Sequence, residues 1–240
     1  MSPARLRSNG TDWRRWCVVV LFATAMAWVE SAVVFYLRTM IDRIQPYQRN
    51  PMPEFKGFEL AEIVRELATM IMLATVGWLA GRTARSRIGY SLVAFGVWDI
   101  GYYAFLKVLC SWPVSWLDWD LLFLIPLPWW GPVVAPMLIA TLMISWGTLA
   151  SQFERAASSQ WSNKRIWLVC GFGIALGLYV FMADALRIAG QGEAALRNLL
   201  PATFNWPVFM LALALMSVPV ANAFRQLLVK DVGAESAQTA

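Results

Sequence analysis

Residues 16–37 read WCVVVLFATAMAWVESAVVFYL, an apolar run broken by one ionisable side chain, Glu30. Coiled as a helix, such a run covers roughly 30 Å, the thickness of bilayer hydrocarbon. Five further stretches reach the same length. The six predicted spans lie near 16–41, 59–81, 88–109, 131–151, 166–186 and 204–226. The longest connector is 110–130, too short to hold a soluble domain. The expectation is a single membrane domain over 1–240, an all-α integral membrane bundle of six transmembrane helices.

Composition agrees. The chain has 240 residues, of which 59% are hydrophobic and 15% charged. Its mean hydropathy is +0.53. Soluble domains carry about 25% charge. The sequence contains no His. That excludes His-ligated haem, copper or zinc, and a Ser-His-Asp triad. Cys17, Cys110 and Cys170 are far apart with no CxxC pair, so a thiolate metal site is not expected; the predicted topology puts Cys17 and Cys170 near the inner face and Cys110 near the outer, which argues against a disulfide. No phosphate-binding glycine loop or HExxH motif is present. The net charge of +5 is read as loop charge of a membrane protein and not as nucleic-acid binding.

Arg14 and Arg15 precede the first apolar run, and Ala25-Met26-Ala27 resembles a cleavage site. The run continues past it through Leu37, which favours an uncleaved span. Lys and Arg set the orientation. One side carries 12 of them, including Arg14, Arg15, Arg82, Arg85, Arg87, Lys164 and Arg165; the other carries 6. Both termini are therefore expected in the cytoplasm.

Of the 14 Trp, Trp13, Trp16, Trp161 and Trp167 fall at the inner boundary. Trp112, Trp116, Trp119, Trp129, Trp130 and Trp206 fall at the outer one. An aromatic belt accounts for most of these. Gly77 and Gly81, and Gly173 and Gly177, have the spacing that lets helices approach closely. The segment 119–132, WDLLFLIPLPWWGP, is apolar yet carries three Pro. Pro breaks helices and restrains the residue before it. The expectation is a short outer-leaflet segment, a turn at 126–131 and then the fourth span. Either a re-entrant element or an interfacial loop would fit.

The ionisable residues inside the spans are the informative feature. Each costs about 2.5–3.5 kcal/mol to insert. Glu30 falls in the outer half of the first span. Glu59, Glu62 and Glu66 share one face of the second, with Arg65 beside them. Asp99 lies mid-way along the third, Asp120 before the Pro-rich turn, and Asp184 at the outer end of the fifth. Glu30, Glu62, Glu66, Asp99, Asp120 and Asp184 could thus converge as ion- or proton-binding candidates. Arg38, Arg65 and Lys107 are available as charge partners. Glu62 with Arg65, Asp184 with Arg187 and Glu30 with Arg65 are possible ion pairs. Tyr102 and Tyr103 follow Asp99 by three and four residues and could bond the same site.

The stretches WVESAVVFYLR at 28–38, RELATM at 65–70 and 119–132 resemble those of uncharacterised bacterial polytopic membrane proteins, over residues 16–150. That resemblance implies a bacterial inner-membrane protein and no activity. Three readings of the carboxylates stay open: structural pairing, a cation or proton site, and catalysis. They translate into two functional expectations. One is an accessory or scaffold subunit or small transport-type protein. The other is an enzyme acting through Glu and Asp on a lipid-linked substrate at the periplasmic face. No cofactor is expected beyond a carboxylate-bound cation. The expected partners are the bilayer and other membrane subunits.

Overall fold

A computed structural model describes residues 12–48, 58–153, 163–192, 195–196 and 199–238. Six long helices dominate it: α1 (Trp13–Met40), α2 (Phe58–Ala80), α3 (Ala84–Cys110), α4 (Val134–Gln152), α5 (Lys164–Ile188) and α6 (Trp206–Gln238). All six are long and apolar enough to cross a membrane. A 3₁₀ turn, Ala189–Gln191, follows α5. The last helix outruns its predicted end, since no Pro or Gly cap stops it near 226.

Between α3 and α4 the chain forms what the Pro-rich reading did not foresee. Trp119–Phe123 (β1) and Trp129–Pro132 (β2) pair as an antiparallel hairpin. Trp119 faces Pro132, Asp120 faces Gly131 and Leu121 faces Trp130; the register shifts between Leu121 and Phe123. The three Pro do stop helix formation, but the freed backbone groups find partners in a ladder. Aromatic residues suit a pleated, half-buried surface.

Local signals set the helix ends. The Asp12 side chain accepts from the Arg15 N–H at 3.3 Å. Arg15 Nη1 in turn donates to the Ala80 carbonyl at 3.0 Å, tying the start of α1 to the end of α2. Thr83 and Ser86 form a reciprocal capping box that opens α3. At its other end Ser111 is left-handed, at φ 58°. Lys107 Nζ donates to the carbonyls of Ser111 and Pro113, at 3.3 and 2.7 Å.

Helix α3 packs against α1, α2 and α4, while α5 pairs with α6 and α6 also meets α4. Small residues govern the closest approaches. A Cβ on Gly89 would lie 2.8 Å from the Gly147 carbonyl, and one on Gly147 would lie 2.4 Å from the Gly89 carbonyl. Both GxxxG pairs serve internal packing. Gly77 and Gly81 abut Ser91 and Arg87 of α3, and Gly173 abuts Leu215 and Ala212 of α6. Several boundary Trp are not in a belt at all: Trp112 and Trp130 are 2% and 8% exposed. Trp13 and Trp116 are exposed, as a belt requires.

The α3–α4 contact gives a direct test. Gly147→Ala forces a backbone carbonyl to move and is expected to destabilise by about 1–3 kcal/mol. Gly171→Ala, where a Cβ meets nothing within 4 Å, is expected to be neutral or slightly stabilising. Thermal unfolding of the detergent-solubilised protein separates them; equal midpoints would mean that this contact does not govern stability.

Candidate functional site

Glu30 is the deepest charge on α1, 7% exposed. It is ion-paired to Arg65 of α2. Thr69 Oγ1, one turn further along α2, donates to Glu30 Oε2 at 3.1 Å. Arg65 also grips Glu62, with Nε at 3.0 Å and Nη2 at 2.7 Å from Oε2. Both pairings of Arg65 foreseen from the sequence are therefore present. Glu66 turns elsewhere. Both its carboxylate oxygens accept from the Leu124 N–H, at 3.2 and 3.1 Å, which fixes the hairpin loop to α2.

A second pair holds the hairpin to α1. Arg38 Nη2 donates to Asp120 Oδ1 at 2.9 Å. The Arg38 guanidinium also lies 4.3 Å from the Trp112 ring centroid, a cation–π arrangement. Its Nη1 reaches the Ile44 carbonyl at 3.3 Å. Asp120 is 1% exposed and accepts further from the Leu121 N–H and the Tyr103 hydroxyl. Burial pushes the Asp120 carboxyl up from the usual carboxylate range; Arg38 and the two other donors oppose that push.

Asp99 is different. It is 8% exposed, and its Oδ2 has no hydrogen-bond partner among the described residues. It lines a partly open cavity of about 720 Å³ to which all six helices and the hairpin contribute. Glu30, Glu66, Asp99 and Asp120 line the hairpin end of that cavity, with Arg65, Thr69, Tyr102 and Tyr103. The rest of the wall is apolar, and reaches Ile88, Trp146 and Trp167 at the opposite end. From Asp99 to Ile88 is about 17 Å along α3. A chain of rings borders the space: Tyr103–Tyr102 at 5.0 Å, Tyr102–Trp98 at 6.3 Å, Trp98–Phe95 at 5.4 Å and Phe95–Phe123 at 6.4 Å. Phe123–Trp129 at 5.2 Å and Trp129–Phe181 at 6.5 Å continue it across the hairpin to α5.

Not every candidate joins this cluster. Asp184 pairs with its own-helix neighbour Arg187 and does not line the cavity. Lys107 is occupied by carbonyls at the carboxyl end of α3 and meets no carboxylate among the described residues. Glu62 stands behind Arg65, outside the cavity wall. The Glu59 side chain lies outside the described residues. Asp118 serves as a turn cap for Val114 and Ser115. Among the described residues no three Asp, Glu or Cys gather as a metal site requires.

The aromatic wall and Thr69 were missed in the sequence reading. Thr69 lies one turn beyond Arg65 on the same face of α2, which was a usable signal. The ring chain spans α3, the hairpin and α5, and no spacing within one segment reveals it.

No protein-family model, curated protein or solved structure matches this chain.

The Arg38–Asp120 pair can be tested by coupling. Arg38→Gln leaves a buried carboxylate without its cation, and a loss of about 3–5 kcal/mol is expected. Arg38→Gln combined with Asp120→Asn is expected to regain more than half of it. Strictly additive losses in denaturation of the two single variants and the double would show that the residues act independently.

Proposed function

We propose that this chain is a small transport-type protein of the bacterial inner membrane, a single domain that holds an amphiphilic, lipid-like molecule in its cavity. The supporting observation is the cavity itself, about 720 Å³, with a charged, tyrosine-rich end and a long apolar body. Ligand pockets run to roughly 300–1,000 Å³, so the space suits one such molecule. An apolar chain would occupy the space between α4, α5 and α6. Its polar head would meet the carboxylates under the hairpin. The Arg65 and Arg38 pairs serve packing in this reading, since each joins two segments and leaves its guanidinium engaged.

A second reading has one observation in its favour. The unbonded Oδ2 of Asp99 would suit a general base acting on a lipid-linked substrate at the same end. Turnover of a bound lipid by the wild-type chain, lost in Asp99→Asn, would favour this second reading over transport.

Occupancy is the first test. Organic extraction of protein purified in mild detergent, followed by mass spectrometry, is expected to recover an amphiphile near one per chain. Met143→Trp and Leu178→Trp fill the apolar body and are expected to reduce it several-fold. Thr141→Trp, on an exposed position of the same helix α4 as Met143, is expected to leave it unchanged. Equal lipid content in all four proteins would sink the proposal.

Orientation is tested separately. With the native cysteines replaced, Val114→Cys, beside the hairpin, is expected to react with an impermeant thiol reagent in intact cells. Arg82→Cys, in the α2–α3 turn, is expected to react only after permeabilisation. Both positions are exposed. The reverse pattern would invert the topology.

A further inference from the structure

Four carboxylates line the hairpin end of the cavity, against the single guanidinium of Arg65. Each of the others has an identified donor: Glu30 has Arg65 and Thr69, Glu66 has the Leu124 N–H, and Asp120 has Arg38. Asp99 alone of the four keeps an unbonded, buried oxygen. A buried carboxylate in an apolar wall needs a cation, a proton or a donor to complete it. The described residues supply none to Oδ2, so a completing group would come with whatever fills the cavity.

The rings nearby narrow the chemistry. Tyr102 and Tyr103 follow Asp99 on α3 by one turn, and share its face. Tyr102 stacks on Trp98, with their planes 29° apart, and all three rings line the cavity. Carboxylate plus aromatic faces is the arrangement that attracts an alkylated ammonium, whose diffuse charge is weakly hydrated and sits over ring faces. A phosphate or sulfate head would meet Asp99 and Glu66, which have no ion pair among the described residues, while the arginines beside them are already engaged, and would be repelled. A hard metal ion would need converging oxygen ligands, and the described carboxylates do not converge in that way.

We propose that the cavity selects amphiphiles with a positively charged ammonium head, seated against Asp99 and the faces of Trp98, Tyr102 and Tyr103, with the apolar chain along α4–α6. This rests on the amphiphile-binding reading and names its substrate class.

The test uses the full chain in nanodiscs of neutral lipid. Three probes of one chain length are compared below their micelle concentrations: an alkyltrimethylammonium, an alkyl glucoside and an alkyl sulfate. The ammonium is expected to bind about tenfold or more tightly than the glucoside, with the sulfate weakest. Asp99→Asn is expected to erase the ammonium preference while glucoside binding persists, and that persistence also shows that the variant is folded. Trp98→Leu, which keeps an apolar side chain without the ring face, is expected to reduce the same preference severalfold. Should Asp99→Asn fail to fold, the wild-type ranking together with Trp98→Leu decides the matter. Equal affinity for ammonium and glucoside, or a preference untouched by both substitutions, overturns the head-group assignment and leaves the cavity reading standing. Glucoside binding that rises in Asp99→Asn with no ammonium preference in the wild type would mean that a proton completes Asp99, and would also overturn the assignment. Failure of all three probes to bind overturns both readings.

Discussion

A carboxylate among apolar side chains must be completed by something, and much of this fold follows from how that is done. Two arginines do most of it. Arg65 joins α1 to α2 through Glu30 while bracing Glu62 on its own helix. Arg38 joins α1 to the hairpin through Asp120. Neither contact is worth much as a net gain, because desolvation offsets the attraction. Their effect is specificity of docking, since a slip of either helix would leave charges unpaired at a cost of several kcal/mol. The same demand places Glu66, whose two oxygens hold the Leu124 N–H and so fix the hairpin loop from α2 as well.

The hairpin is therefore anchored to both α1 and α2 and forms one end of the cavity. Gly131 opposes Asp120 in the ladder, and a Cβ there would press to 2.7 Å on Phe181. Its absence lets α5 close against the strand. Meanwhile α3 and α4 approach until glycine backbones touch. The pair α5–α6 gets no such close seat against α3, and reaches the rest through α4 and β2. A tight layer beside a loosely attached pair leaves space between them, and the hairpin covers it. The cavity is a consequence of where the small residues are.

Much of this was legible in the sequence, and the failures have physical causes. Hydropathy located all six long apolar helices, because length and apolar content are properties of each segment alone. The Glu30–Arg65 and Glu62–Arg65 pairs could be read from depth and helical spacing. The hairpin could not. Apart from Asp120 its strands carry apolar residues at every position, so alternation is lost and only the Pro breakers remain visible. Trp112 and Trp130 looked like belt residues, since the sequence places a ring near the boundary without saying which way it turns. Asp184 and Lys107 were grouped with the cluster by depth, and depth ignores the angle around the helix. Each instead serves its own helix end, with Arg187 or with terminal carbonyls. The separation of Asp99 from the other carboxylates was invisible for the same reason, as pairing is decided between segments.

That separation bears on what the network is for. A cluster that served packing alone would have every acceptor matched, since a half-satisfied polar network costs more than an apolar core. Here matching is nearly complete wherever two segments are joined: Arg38, Arg65 and the Leu124 N–H each bridge elements. Among the carboxylates of the cluster it fails at Asp99, whose Oδ2 is buried at the cavity wall with no hydrogen-bond partner among the described residues. An unmatched group at a joint would be a defect of assembly. An unmatched group on a cavity wall is the feature on which the proposed binding role rests. In the amphiphile-binding reading proposed above, docking and binding fall on different residues of one cluster, with Arg38 and Arg65 serving the first and Asp99 the second.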